Sequence, residues 1–312
     1  MPIIFHDTIN KALDDRQAAR ARLVSFLDKT EPELVYWLHH IWNNQQRAIT
    51  YKEIREMIMS GAIDEALLEE WHQDYSRFVI EHIQPLYAAA FAEAAKPISD
   101  KNVLFRFEPA SEGIRQWTEE TAAAFVTRST AEQISAIRFV VGRAAQLNDM
   151  NVDSLGRVIR AMVGLNRPQA IANLNYYNKL IDSGMKEKKA VEKSIIYSHR
   201  QHRYRGHMIA RTELAFAYNK GEHEGVKQAM DQGYMGATVK IWSSAGDDRV
   251  CDICKELDRR THERPIDFDS PFDYYTKLKA QQEDIDQTPP AHPHCRCAVI
   301  YKEVAPPYFS RL

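Results

Sequence analysis

Asp247-Asp248-Arg249-Val250-Cys251-Asp252-Ile253-Cys254 opens the stretch that decides how this chain is read, and Pro289-Pro290-Ala291-His292-Pro293-His294-Cys295-Arg296-Cys297 closes it. All 4 cysteines lie in these two segments. A C-x-x-C pair facing H-P-H-C-R-C is a metal-ligand constellation first and a disulfide candidate second. The start of the chain has no basic segment followed by an apolar run, so we expect no secretory leader, and a reducing compartment favours metal binding over pairing.

Zinc takes four ligands in a tetrahedron and prefers thiolate and imidazole. The two-residue spacing lets Cys251 and Cys254 reach one ion. The second segment offers His292, His294, Cys295 and Cys297. If Cys295-Arg296-Cys297 is extended, both thiols point to one side, because strand side chains alternate, and an all-cysteine site follows. If the chain turns at Pro293, His292 and Cys295 ligate and Cys297 stands behind them. The four-cysteine set is the preferred reading, with His292 the first substitute and His294 a bystander. Four protein ligands close the sphere, so the zinc is expected to be structural, and no H-E-x-x-H helix of a zinc hydrolase occurs. Asp248 and Arg249 are expected to tie this region to the helix carrying Arg211 and Glu213.

Outward from this site, Thr238–Ser243 alternates and is β-branched, and Cys297–Tyr301 reads as a second strand, so a small antiparallel sheet brings the cysteine segments together. Between them lies a proline-rich insertion whose expected helix is Tyr274–Gln282. Gly233 and Gly236 end the helical part that precedes the sheet. From Lys186 to Arg211 there are eight Lys or Arg against Glu187 and Glu192, interleaved with Tyr197 and Tyr204. Lys193, Arg200, Arg203 and Arg205 are therefore nucleic-acid candidates, against the alternative of a solvated or protein-facing helix. Arg211 and Glu213 are two apart, cannot face each other, and are each free to pair outside their helix.

The first two-thirds of the chain repeats apolar residues with helical period: Leu34, Trp37, Leu38 and Ile41, then Leu67, Trp71, Tyr75 and Phe78. Expected boundaries are a helix start at Glu31-Pro32, an N-cap at Asp64, and a bend or end at Pro85. A connection is expected over residues 96–113, with a short strand possible at Val103–Phe105. A capping box at Thr130 and Gln133 is expected to start a new helix, and a turn with an early Pro is expected at Asn166–Gln169. The fold class expected is mainly α: a multi-helix body with a small α+β zinc-stabilised C-terminal module. The expected division is 1–110 (N-terminal helical region), 111–237 (helical core with the basic helix) and 238–312 (zinc-binding module). With 312 residues and net charge -2 the chain can bury a substantial core and carries no global basic field. No apolar run of about 18 residues is present, so no membrane span is expected.

The order Ala210-Arg211-Thr212-Glu213, Ala217, Asn219, Gly221, Trp242, Asp247, Arg249-Val250-Cys251-x-x-Cys254, Leu257 and Pro289-Pro290-x-His292-Pro293-x-Cys295-Arg296-Cys297 resembles the phage head morphogenesis, or minor capsid protein, family (Mu F-like, SPP1 gp7-like). The resemblance runs over about 150–302. Two positions depart from the family pattern, Arg259 where Gly is frequent and Ser244 where Thr is frequent. The resemblance implies a non-enzymatic protein made in the host cytoplasm and carried in the virion, in the capsid or procapsid interior. It also implies the portal protein as partner and a part in DNA packaging or ejection. The competing reading is a metal-dependent enzyme acting on nucleic acid or a phosphoester.

Overall fold

The computed structural model of the protein describes residues 4–146, 151–272 and 287–304. In chain order the elements are α1 (Ile4–Ala48), α2 (Tyr51–Ser60), α3 (Glu65–Phe78), a π-helical turn (Val79–Ile83), α4 (Gln84–Lys101), α5 (Glu112–Ala144), α6 (Val152–Arg160), α7 (Arg167–Asp182), α8 (Glu187–Asp231), β1 (Thr238–Ser243), α9 (Asp252–Glu263), β2 (Ile266–Asp267) and β3 (Ala298–Glu303). The fold is mainly α, with a small α+β module near the C-terminus. The chain divides into two compact units. One takes Met1–Pro32, Pro85–Thr118 and Met208–Leu312; the other takes Glu33–Gln84 and Glu119–His207.

Several expected boundaries are formed by the residues that signal them. Asp64 caps α3 by accepting from Ala66 N at 2.8 Å. Asn166 and Gln169 form a capping box with Pro in the first turn of α7. Gly184 and Gly233 take positive φ just beyond the ends of α7 and α8.

Four expected breaks are corrected. Pro32 lies inside α1 rather than starting a helix. It removes one backbone hydrogen bond, but buried Leu23, Leu27, Leu34 and Leu38 flank it, and that burial holds the helix through the gap. Pro97 likewise lies inside α4, so the connection shrinks to residues 102–111, and Val103–Phe105 forms no strand. Instead Phe105 is buried against Tyr234. Thr130 and Gln133 sit within α5, not at its start. Gln133 serves a buried chain of hydrogen bonds: Trp42 Nε1 donates to Tyr75 Oη (3.0 Å), which donates to Gln133 Oε1 (2.8 Å), whose amide donates to Gln45 Oε1 (3.1 Å). At Pro85 the helix does not end. The helix widens into the π-turn just before it, which is how a helix accommodates a residue that cannot donate to the preceding turn.

The second unit is built on a core of Ile54, Trp71, Val140, Leu155, Met162 and Leu174, with further aliphatics around them. Gly164 is required there: its φ is 94°, and a Cβ would lie 2.5 Å from the Trp42 ring. In the first unit α8 packs on α4 through Gly221 and Gly225. A Cβ on Gly221 would come within 2.6 Å of the Phe91 Cα. The small alanines of α8, Ala210, Ala215 and Ala217, are all fully buried.

The sheet has order β2-β1-β3, with β1 antiparallel to both neighbours; Trp242 pairs with Val299 and Val239 with Asp267. β2 was not foreseen, because two residues show no alternation. Beyond β2 the Trp242 N–H donates to Thr261 Oγ1 of α9 at 2.9 Å, which satisfies the strand where its neighbour has ended. Trp242, Leu257, Phe272 and Val299 form the small core on which the cysteines sit.

Candidate metal centre and basic helix

Cys251 is the N-cap of α9, in extended conformation, and its Sγ accepts from Cys254 N at 3.4 Å. The C-x-x-C knuckle is therefore the first turn of a helix, where unpaired N–H groups and the helix dipole favour thiolate. The sequence reading placed the helix of this region at Tyr274–Gln282, which lies outside the described residues. The helix α9 went unnoticed, although Ile253, Leu257 and Thr261 recur at intervals of four and Glu256–Arg260 and Arg259–Glu263 are spaced as helical ion pairs.

The second segment turns at Pro293, with Cys295 N donating to His292 O at 3.1 Å, before β3 begins at Ala298. The turn brings His292 Nε2 to 3.1 Å from Cys251 Sγ and 3.4 Å from Cys254 Sγ. Cys254 Sγ is 3.8 Å from Cys295 Sγ. Two triads result, Cys251–Cys254–His292 and Cys254–Cys295–Cys297, and Cys254 belongs to both. All five donors named from the sequence lie in these two triads, and the second segment takes the turn at Pro293. No carboxylate joins either triad among the described residues.

The donor set fits a tetrahedral ion. With Zn–S near 2.3 Å, an S–S edge of the tetrahedron is about 3.8 Å, the Cys254–Cys295 separation. His292 Nδ1 lies 2.8 Å from Pro293 O, so an Nδ1–H donated to that carbonyl leaves the Nε2 lone pair aimed at the thiols. The buried thiols cannot all ionise unaided. Hydrogen bonding with Cys295 and then with Cys297, followed by burial, pushes the Cys254 thiol far up, while hydrogen bonds from Cys254 and Cys297 hold Cys295 well below its usual range. A divalent cation is the group that allows such a cluster to carry several thiolates.

The supports of this centre differ in part from expectation. Asp247, not Asp248, anchors it, through a two-bonded pair with Arg296 at 2.7 Å for each bond. Arg296 holds the Asp247 carboxyl down to about 2. Arg249 pairs with Asp247 at 3.6 Å and is largely exposed, so the expected Asp248–Arg249 tie to α8 is corrected. The ties run instead from Thr212 Oγ1, which accepts from His294 N (3.2 Å), and from Asn219 Nδ2, which donates to Cys297 O (3.3 Å). Arg16 of α1 adds an ion pair to Asp258 of α9 at 2.5 Å. Arg211 and Glu213 do pair outside their helix: Arg211 Nε donates to Glu31 at 3.0 Å, and Glu213 accepts from Tyr87 Oη at 2.6 Å. Ser244 keeps the function a Thr hydroxyl would have, donating to Asp258 Oδ2 at 2.5 Å, and Arg259 is a surface residue paired with Glu256 and Glu263.

Residues 174–300 match the family described as Phage Mu protein F like protein. Over this region the chain is similar to the Mu F-like phage proteins. The match covers most of α7, all of α8, and the sheet module with its cysteines as far as the first half of β3, the same region in which the sequence motifs fall. No curated protein and no solved structure matches the chain.

Within the Mu F-like region, the four nucleic-acid candidates of α8 separate by burial. Arg200 and Arg203 are exposed and Lys193 is half-buried. Arg205 is corrected: it is 2% exposed, bonded to Glu132, with its guanidinium 6.0 Å from the Trp42 ring centroid, so it cannot reach a phosphate. Sequence period alone gave no sign that this arginine faces inward. No helix among the described residues is long and apolar enough to cross a membrane.

Proposed function

We propose that this protein is a minor head protein of a phage, incorporated into the capsid interior during assembly in the host cytoplasm and bound to the portal protein. Its C-terminal module would be held by one structural zinc. The observation that carries this reading is the Mu F-like match over 174–300, ending on the cysteine cluster. The proposed ligands are Cys251, Cys254, His292 and Cys295, because close approaches of 3.1, 3.4 and 3.8 Å link these four. Cys297 stands behind them as the remaining thiol. Four protein donors leave no position for a reactive water, which supports a non-catalytic role.

Co-expression with the portal protein of the same genome tests the assembly reading. A stable co-purifying complex is expected, and its absence together with normal head assembly after deletion of the gene would refute it. For the metal, cobalt substitution should give the absorption of a tetrahedral three-thiolate, one-imidazole site at one ion per chain. A five-coordinate spectrum with exchangeable water would favour the enzyme reading instead. Contact with packaged DNA through Lys193, Arg200 and Arg203 belongs to the same proposal, supported by their placement away from the core. A salt-dependent duplex shift that survives alanine at all three would remove it.

A further inference from the structure

Within the second unit, α1 and α8 enclose an open groove of about 520 Å³. His39 and Asn43 line it from α1 and His199 and Arg203 from α8, with Trp42 and Ile196 as its apolar wall. Every polar group named here can donate a hydrogen bond, and no Asp or Glu lines the groove among the described residues. The contrast with other arginines of α8 is specific. Arg205 has Glu132 and Arg211 has Glu31, whereas Arg203 and the nearby exposed Arg200 have no carboxylate partner among the described residues. His39 Nε2 is buried and has no hydrogen-bond partner. Its imidazole is held below the ordinary value by burial first and then by His207, Arg203 and His199, and the Arg203 guanidinium is a permanent positive charge at the groove. Groups that repel a further cation there attract an anion.

We propose that this groove is a phosphate-oxyanion site, taking either a phosphodiester of nucleic acid or free phosphate. Arg203 supplies a planar fork for two oxygens, and the imidazoles and the Asn43 amide supply directed N–H groups. The proposal deepens the DNA part of the function above by naming where on α8 the backbone would seat.

The test uses the full chain with two probes, inorganic phosphate and a short labelled DNA duplex at low salt. Imidazole resonances are followed by NMR and duplex binding by anisotropy. Both probes are compared with the His199→Glu/Arg203→Glu double variant and with Lys189→Glu, an exposed change on α8 that does not line the groove. Thermal melts check that each variant is folded. Phosphate or duplex should shift the His39 and His199 resonances, and the double variant should weaken binding at least about tenfold, with a much smaller loss for Lys189→Glu. Shifts with phosphate alone support a free-phosphate site, and shifts with duplex support a phosphodiester site. Imidazole resonances that ignore both probes overturn the groove. Duplex binding that persists under those conditions leaves the wider DNA reading standing. Equal losses in the double variant and in Lys189→Glu also overturn it, since binding would then follow charge and not the groove.

Discussion

Cys254 is the residue on which the candidate metal centre turns, because it is the one donor common to both triads. Cys254→Ser should abolish stoichiometric metal and make residues 238–304 protease-sensitive while the helical signal in far-UV circular dichroism largely remains. Unchanged metal content by elemental analysis would refute its central place. Cys297→Ser should keep one ion per chain, since His292 completes the set. Gly164 gives a second prediction. Alanine there meets both a φ of 94° and the Trp42 ring, and should cost roughly 2–4 kcal/mol in denaturant unfolding. A third concerns His202, which is 3% exposed and pressed between the carbonyls of Ser198 and Val163 at 2.9 and 2.8 Å. Burial lowers it to about 4 despite those two acceptors. A folded value below the unfolded one means that its contribution is complete above the unfolded value. The contribution is lost as pH falls from about 6.5 to about 4. At about 1.4 kcal/mol per unit, that is on the order of 3 kcal/mol. His202→Gln should flatten the fall in stability over this window, and an unchanged slope would show that the loss comes from elsewhere.

The helices show where a sequence reading holds and where it fails. Caps were legible because the signal is local: Asp64, Asn166 with Gln169, and Gly233 each satisfy or redirect backbone groups within a few residues. Breaks were not legible, because Pro32, Pro97 and the Thr130–Gln133 pair carry the same local signals but are outweighed by burial that arrives from distant segments. The contact of α8 with α4 is a further case. Gly221 in a helix interior reads as a weak position, yet it is what lets the two backbones approach. Gly221→Ala should force the helices apart and lower stability by about 1–3 kcal/mol, measured by urea unfolding. A neutral or stabilising result would mean that the helices have slack.

For the molecule as a whole, each compact unit is assembled from separated stretches of chain, so the C-terminal module is not sealed within its own residues. Arg16 reaches Asp258, and Phe26 packs tilted against Tyr218 with ring centroids 5.2 Å apart. Deleting residues 1–32 should therefore destabilise the unit that carries the cysteines, seen as a lower melting temperature and early cleavage within 238–304. An unaffected module would show that α1 is dispensable to it. Residue types and spacing by themselves determined the five candidate donors, the two longer strands and their antiparallel pairing, and the likeness of residues 174–300 to the Mu F-like proteins. These rest on local periodicity and on ligand chemistry that a short stretch of chain expresses unaided. Only the tertiary structure decided that Cys254 is shared between the triads, that Asp247 rather than Asp248 holds Arg296, and that Arg205 is buried while Arg203 is not. Each of these depends on which distant residue arrives opposite, and contact between segments far apart in the chain is a property of packing that no local pattern encodes.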